Sequence, residues 1–168
     1  MALAVGTDAP NFTTTNDQGK EVSLSDFAGK TVVLYFYPKD DTPGCIKEAQ
    51  SFKEQYDEYQ KKGVVVLGLS MDGRASHVQF KKKYGLPFQL LGDRDGLITK
   101  AYDVDAGGYA KRVTYVINGD GKISHVDTAV KTETHAKDLL CSIGVEKQDW
   151  CFWILRDGGF FFLNVFIN

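Results

Sequence analysis

Two runs in the chain are apolar on both faces, Thr31 to Tyr37 (TVVLYFY) and Val64 to Ser70 (VVVLGLS). Both are rich in β-branched and aromatic residues, which predicts strands inside a sheet covered on each side. Val113 to Ile117 and Ile123 to Val126 flank Asn118-Gly119-Asp120-Gly121, the signature of a hairpin. Asn16-Asp17-Gln18-Gly19 predicts a smaller hairpin near the start. Between the apolar runs, Ile46, Ala49, Phe52, Tyr56 and Tyr59 recur at helical spacing, and Gly63 suits the stop. A second helix is expected from Ala75 to Tyr84, ended by Gly85 and Pro87, and a shorter one within Asp95 to Tyr102. Ala136, Leu139, Leu140 and Ile143 form the stripe of a last helix, with Thr132 as its expected cap and Gly144 after it.

Strand, helix, strand, hairpin and closing helix in that order predict an α/β protein of thioredoxin-like architecture. Its central mixed β-sheet is flanked by helices, and it carries an N-terminal β-hairpin. The 168 residues suffice for one domain with a core, expected over 1–145. Beyond Val145 the character changes: both tryptophans and five of the eleven phenylalanines fall between Trp150 and Asn168. This aromatic-rich tail, 146–168, is expected to stand outside the domain. A formal net charge of −2 gives no reason to expect a nucleic acid or an anionic membrane as partner. Neither a signal peptide nor a run long enough to span a membrane is visible, so the expected location is cytoplasmic.

Chemistry is carried by cysteine. There are three, Cys45, Cys141 and Cys151, with no Cys-x-x-Cys pair and no Cys/His cluster at zinc spacing. Thr42-Pro43-Gly44-Cys45 opens the first long helix, with Thr42 as expected N-cap and Pro43 at the first helical position. Cys45 then falls in the first turn, where free N–H groups and the positive end of the helix dipole favour the thiolate, the nucleophilic form. Taken alone, a free cysteine is as well explained as a small apolar residue packed beneath the helix.

The residues around Cys45 decide between these readings. Pro38-x-x-x-Thr42-x-x-Cys45 resembles the active-site motif of the peroxiredoxins, and the surrounding FYPKDDTPGC is similar to the peroxiredoxin Q, or bacterioferritin-comigratory, subfamily. GTDAPNF, SLSDFAGK and KRVTYVI extend the resemblance over roughly residues 3–145. It implies that Cys45 attacks a hydroperoxide and becomes a sulfenic acid. It also implies that Thr42 hydrogen-bonds the peroxide and that Pro38 shields the sulfur. Arg112 would hold the thiolate and stabilise the leaving oxygen, with Glu48 orienting Arg112. No metal or cofactor is implied. Asp40 and Asp41 are expected to point to solvent, since negative charge near the sulfur would oppose the thiolate.

The chain departs from the subfamily at Gln50, where many members carry a resolving cysteine, and no cysteine lies between Ala75 and Tyr84. A one-cysteine cycle is therefore expected, with thioredoxin or another external thiol as reductant. The resemblance to peroxiredoxin Q proteins also implies a monomer. Cys141 and Cys151 remain as alternative resolving partners. His77, His125 and His135 are expected in surface or packing roles. A different reading is a thiol-based redox sensor or chaperone-like module that oxidises once and turns over slowly. A disulfide reductase is disfavoured, because Cys45-Ile46-Lys47-Glu48 lacks a second cysteine.

Overall fold

The computed structural model describes residues 1–143. Cys151 and the aromatic-rich segment 146–168 lie outside them. The sheet has five strands: β3 (Thr31–Phe36), β4 (Val64–Ser70), β5 (Gln89–Gly92), β6 (Val113–Ile117) and β7 (Ile123–Asp127), in spatial order β5-β4-β3-β6-β7. The pairs β3–β4 and β4–β5 are parallel, while β3–β6 and β6–β7 are antiparallel. The expected mixed sheet is therefore present, with the first apolar run as its central strand. The start of the chain forms the expected hairpin, β1 (Thr13–Thr15) with β2 (Glu21–Ser23).

Period-2 alternation along β3 divides the core. Val32, Leu34 and Phe36 face one apolar layer, packed with Ile98, Tyr102 and Tyr115. Val33, Tyr35 and Tyr37 face the other, packed with Cys45, Phe52, Tyr59, Phe80 and Leu139. A strand apolar on both faces must be covered twice. Helices α1 (Pro43–Glu54), α2 (Tyr56–Lys61), α3 (Arg74–Tyr84) and α5 (His135–Ser142) contribute to the second layer, and α4 (Leu97–Ala101) to the first.

Three details differ from the pattern-based expectation. The helix expected to run unbroken to Tyr59 breaks at Gln55 (φ −97°, ψ 4°). The bend lets buried Tyr59 donate from its hydroxyl to Ala136 O at 2.7 Å, tying α2 to α5. The last helix is capped at Thr134 rather than Thr132, because Thr134 N bonds Lys131 O and folds 131–134 into a turn. Strand β5 has only four residues, too few for alternation to reveal. Its edge is covered by the N-terminal hairpin: Asp17 N donates to Leu90 O, and Leu90 N donates to Asp17 Oδ1. Among the described residues no helix is long and apolar enough to cross a membrane.

Phe52 is fully buried and stacks on Tyr35 with ring centroids 4.7 Å apart. Phe52→Ala is expected to lower unfolding stability by about 3–5 kcal/mol in urea titrations. Gln50→Ala, at an exposed position of the same helix, should change it by no more than about 0.5 kcal/mol.

Candidate active site

After β3 the chain turns through Pro38–Thr42 before α1 begins at Pro43. Asp41 adopts a left-handed backbone (φ 55°), which reverses the chain in a short space. Thr42 is the N-cap residue by backbone geometry, but its hydroxyl does not cap the helix. It donates instead to Lys39 O at 2.9 Å, closing the loop on itself. The first intrahelical hydrogen bond runs from Ile46 N to Thr42 O, so the amides of Gly44 and Cys45 precede the helical ladder. Cys45 is the third residue of α1, a free thiol only 1% exposed.

Arg112 stands immediately before β6 and reaches across β3 to this turn. Its Nη2 donates to Cys45 Sγ at 3.3 Å, and its Nη1 to Glu48 Oε2. Gly44 makes room for this approach, since a Cβ there would stand 3.0 Å from Arg112 Nη2. One guanidinium thus bridges the sulfur and the carboxylate one helical turn further on, using its fixed fork of donors. Pro38 and Thr42 are half-buried at the rim of the same turn. Cys45, Glu48 and Arg112 are thus brought together in space, with Pro38 and Thr42 on the loop that leads into α1.

Glu48 is completely buried. Burial pushes its carboxyl above the ordinary 4.5, although Arg112 and His135 pull the other way. Its second oxygen, Oε1, has no hydrogen-bond partner among the described residues and faces His135 Nε2 at 3.8 Å. That nitrogen lies 2.8 Å from Thr114 Oγ1. His135 Nδ1 is 3.4 Å from Asp127 Oδ2, close enough for attraction but without hydrogen-bond alignment. Contact with His135 holds the Asp127 carboxyl below its usual range. Sequence reasoning gave His135 a surface or packing role, and nothing in its spacing linked it to Glu48. Only the docking of α5 beside α1 brings the two together.

One correction concerns the loop. Asp40, expected to point to solvent, is 5% exposed and accepts hydrogen bonds from Tyr37 and Ser76, with His77 alongside. Asp41 is exposed, as expected, and pairs with Lys83 and Tyr84 on α3. Gln50 is exposed on α1, and Cys141 is half-buried on α5. Among the described residues no group of three or more His, Cys, Asp or Glu side chains could hold a metal ion.

Residues 5–126 match the model of the AhpC/TSA family. The chain belongs to this family, the peroxiredoxins. A bcp-type peroxiredoxin sequence of Coxiella burnetii is 45% identical over 148 residues, covering 83% of this chain and 98% of that one. The chloroplastic peroxiredoxin Q of Oryza sativa subsp. japonica is 43% identical over 82% of this chain, which spans 65% of that relative's length. A cysteine mutant of Xylella fastidiosa PrxQ superposes with a TM-score of 0.80 at 29% identity, over 85% of this chain and 96% of that one. The bacterioferritin comigratory protein of Xanthomonas campestris, whose structures address alkyl peroxide reduction, gives 0.74 at 31%, over 79% and 89%. This peroxiredoxin is accordingly a thiol peroxidase by family.

A raised carboxyl pKa means that folding favours the protonated form. The stability Glu48 contributes is then full below its ordinary value of 4.5 and falls as pH rises through the raised one. Glu48→Gln, which stays neutral, should therefore gain stability relative to the unsubstituted protein between about pH 4 and pH 8 in urea titrations.

Proposed function

We propose that Cys45 is the peroxidatic nucleophile of a hydroperoxide reductase whose cycle is completed by an external thiol. The observation that carries this reading is the Arg112 Nη2 to Cys45 Sγ hydrogen bond of 3.3 Å at the first turn of α1. A fixed positive charge lies against the sulfur, where an anionic nucleophile and an anionic leaving group must both be accommodated.

The Cys45 thiolate attacks one oxygen of ROOH. The S–O bond forms as the O–O bond breaks, the hydroxyl oxygen passes to sulfur, and the alkoxide leaves as ROH by taking up the proton that Cys45 released when it ionised. Sulfur is oxidised to the sulfenic acid, and the peroxide is reduced. Thr42 already donates its hydroxyl hydrogen to Lys39 O, so its lone pairs are left to accept from the hydroperoxide O–H. Arg112 and the Cys45 amide donate to the oxygens on which charge grows. Glu48 orients Arg112, and Pro38 shields the sulfur on the loop side. Hydrogen peroxide and organic hydroperoxides are the substrate class, in keeping with the alkyl peroxide reduction of the Xanthomonas relative.

Regeneration falls to thioredoxin or another small thiol, because Gln50 is exposed where many peroxiredoxin Q proteins carry their resolving cysteine. The incoming thiol displaces water from the sulfenic acid to give a mixed disulfide. A second thiol then releases Cys45. Resolution by Cys141 or Cys151 is the alternative route. In either case the protein acts as a monomer in the cytoplasm, with residues 1–145 as the catalytic domain and 146–168 as an appended tail. Gln50 also favours a second reading, a redox sensor or chaperone-like module that oxidises once and turns over slowly.

Cys45→Ser is expected to abolish hydroperoxide consumption with thioredoxin or dithiothreitol. Arg112→Met should lower kcat/KM for peroxide by about 10²- to 10³-fold. Intact-mass analysis after one equivalent of peroxide should show a gain of one oxygen atom on Cys45. A loss of two hydrogens instead, with peptide analysis placing the bridge on Cys45, would assign resolution to Cys141 or Cys151, and slow turnover after rapid oxidation would favour the sensor.

A further inference from the structure

The loop that carries Pro38 and Thr42 is held from beneath by a buried polar cluster for which the proposed chemistry has no use. Asp40 Oδ1 accepts from Tyr37 Oη at 2.7 Å, and Oδ2 accepts from Ser76 Oγ at 2.8 Å. Asp40 N donates to Asp72 Oδ2 at 2.8 Å. His77 Nδ1 lies 2.8 Å from Asp40 Oδ2, and His77 Nε2 lies 3.2 Å from Leu91 O on β5. The His77 and Asp40 side chains are 1% and 2% exposed.

The acceptors dictate where hydrogen sits. A carbonyl only accepts, so His77 Nε2 carries its hydrogen. Nδ1 then faces a carboxylate oxygen, and the 2.8 Å contact requires a proton between them, whichever partner owns it. The imidazole is thereby pinned between β5 and the catalytic loop. From Asp40 the connection runs one residue back to Lys39, whose carbonyl receives the Thr42 hydroxyl at 2.9 Å. An uninterrupted series of polar contacts and one peptide link thus joins Leu91 O to Thr42 Oγ1.

We propose that His77 is a positioning residue that acts through Asp40 to set the 38–42 loop, aiming the Thr42 lone pairs at the hydroperoxide. His77 thus governs the peroxide half of the cycle and leaves the thiol half untouched. The inference rests on the reading of Cys45 as nucleophile.

Two substitutions separate positioning from simple burial. The amide nitrogen of His77→Asn falls near Nδ1, keeping a donor for Asp40 and giving up Leu91 O. The amide nitrogen of His77→Gln falls near Nε2, keeping Leu91 O and giving up Asp40. Each sacrifices one buried hydrogen bond, so a purely structural role would penalise both alike. Ping-pong kinetics with varied hydroperoxide and dithiothreitol supply the readout. In His77→Gln, kcat/KM for peroxide should fall about tenfold or more, while His77→Asn stays within about threefold of the unsubstituted enzyme. kcat/KM for dithiothreitol should be unchanged in both. Equal losses in the two variants, no loss in His77→Gln, or a loss on the thiol side would overturn the proposal. If His77→Gln does not fold, Ser76→Ala, which removes another donor from the same carboxylate, should lower kcat/KM for peroxide in the same sense, and no change there would overturn it. Cys45→Ser assayed in parallel separates the two readings: residual turnover there would sink the nucleophile assignment, whereas an inactive Cys45→Ser beside an unimpaired His77→Gln would sink only the role of His77.

Discussion

The contact on which the site depends is the fork of Arg112 laid across Cys45 and Glu48. A guanidinium bridging a sulfur and a buried carboxylate has little freedom, because both arms of the fork are committed. The carboxylate is held at a cost, since burial opposes its charge and one oxygen lacks a hydrogen-bond partner among the described residues. Its presence there is hard to explain by stability. In the proposed reading its place is explained by orientation, since it holds one arm of the fork while the other meets Cys45.

The fold supplies the frame for that contact. Arg112 precedes β6 and Cys45 follows β3, and these strands are hydrogen-bonded neighbours from Val32↔Ile117 to Phe36↔Val113. The pairing brings the start of β6 to the end of β3, so Arg112 arrives at the first turn of α1. Helix α5 then closes over α1, with Tyr59 and Ser51 as hydrogen-bonding anchors on Ala136. That docking sets His135 behind Glu48. On the other side of the turn, α3 engages the loop through Ser76 and His77 within and through Lys83 and Tyr84 at the surface. The reactive turn is braced from both flanks, which suits a site that must present a nearly enclosed sulfur to a small substrate.

Enclosure has a consequence for the cycle. Cys45 is 1% exposed. A hydroperoxide is small enough to reach such a sulfur with little rearrangement, but a protein reductant is not. If the reductant is a protein thiol, as the proposed cycle allows, it reaches the oxidised sulfur only when the loop and first turn open, a demand that a small thiol does not make. Rigidity that favours attack therefore opposes regeneration by a large thiol protein, and a small thiol is the less demanding partner.

Much of this was legible in the sequence because it is written in local terms. Alternation and apolar runs marked the central strands, and turn residues marked the hairpins. The helix start at Thr42 and Pro43 marked the setting of Cys45, since that geometry is local, and the resemblance to the peroxiredoxin motif singled out Pro38 and Thr42 beside it. Strand β5, the bend at Gln55 and the cap at Thr134 escaped because each follows from packing against a distant element. Asp40 and the histidines escaped for a stronger reason. A carboxylate in a polar loop reads as solvated, and a lone histidine reads as packing, until donors from other elements converge on them. The turn that opens α1 at Cys45 was set by short-range sequence, while the meeting of Arg112 with Cys45 was decided by the pairing of β6 with β3. What surrounds and restrains them, with His77 on one flank and His135 on the other, was decided only when helices far apart in the chain were brought against the same turn, because a buried polar group takes its role from the partners that folding supplies.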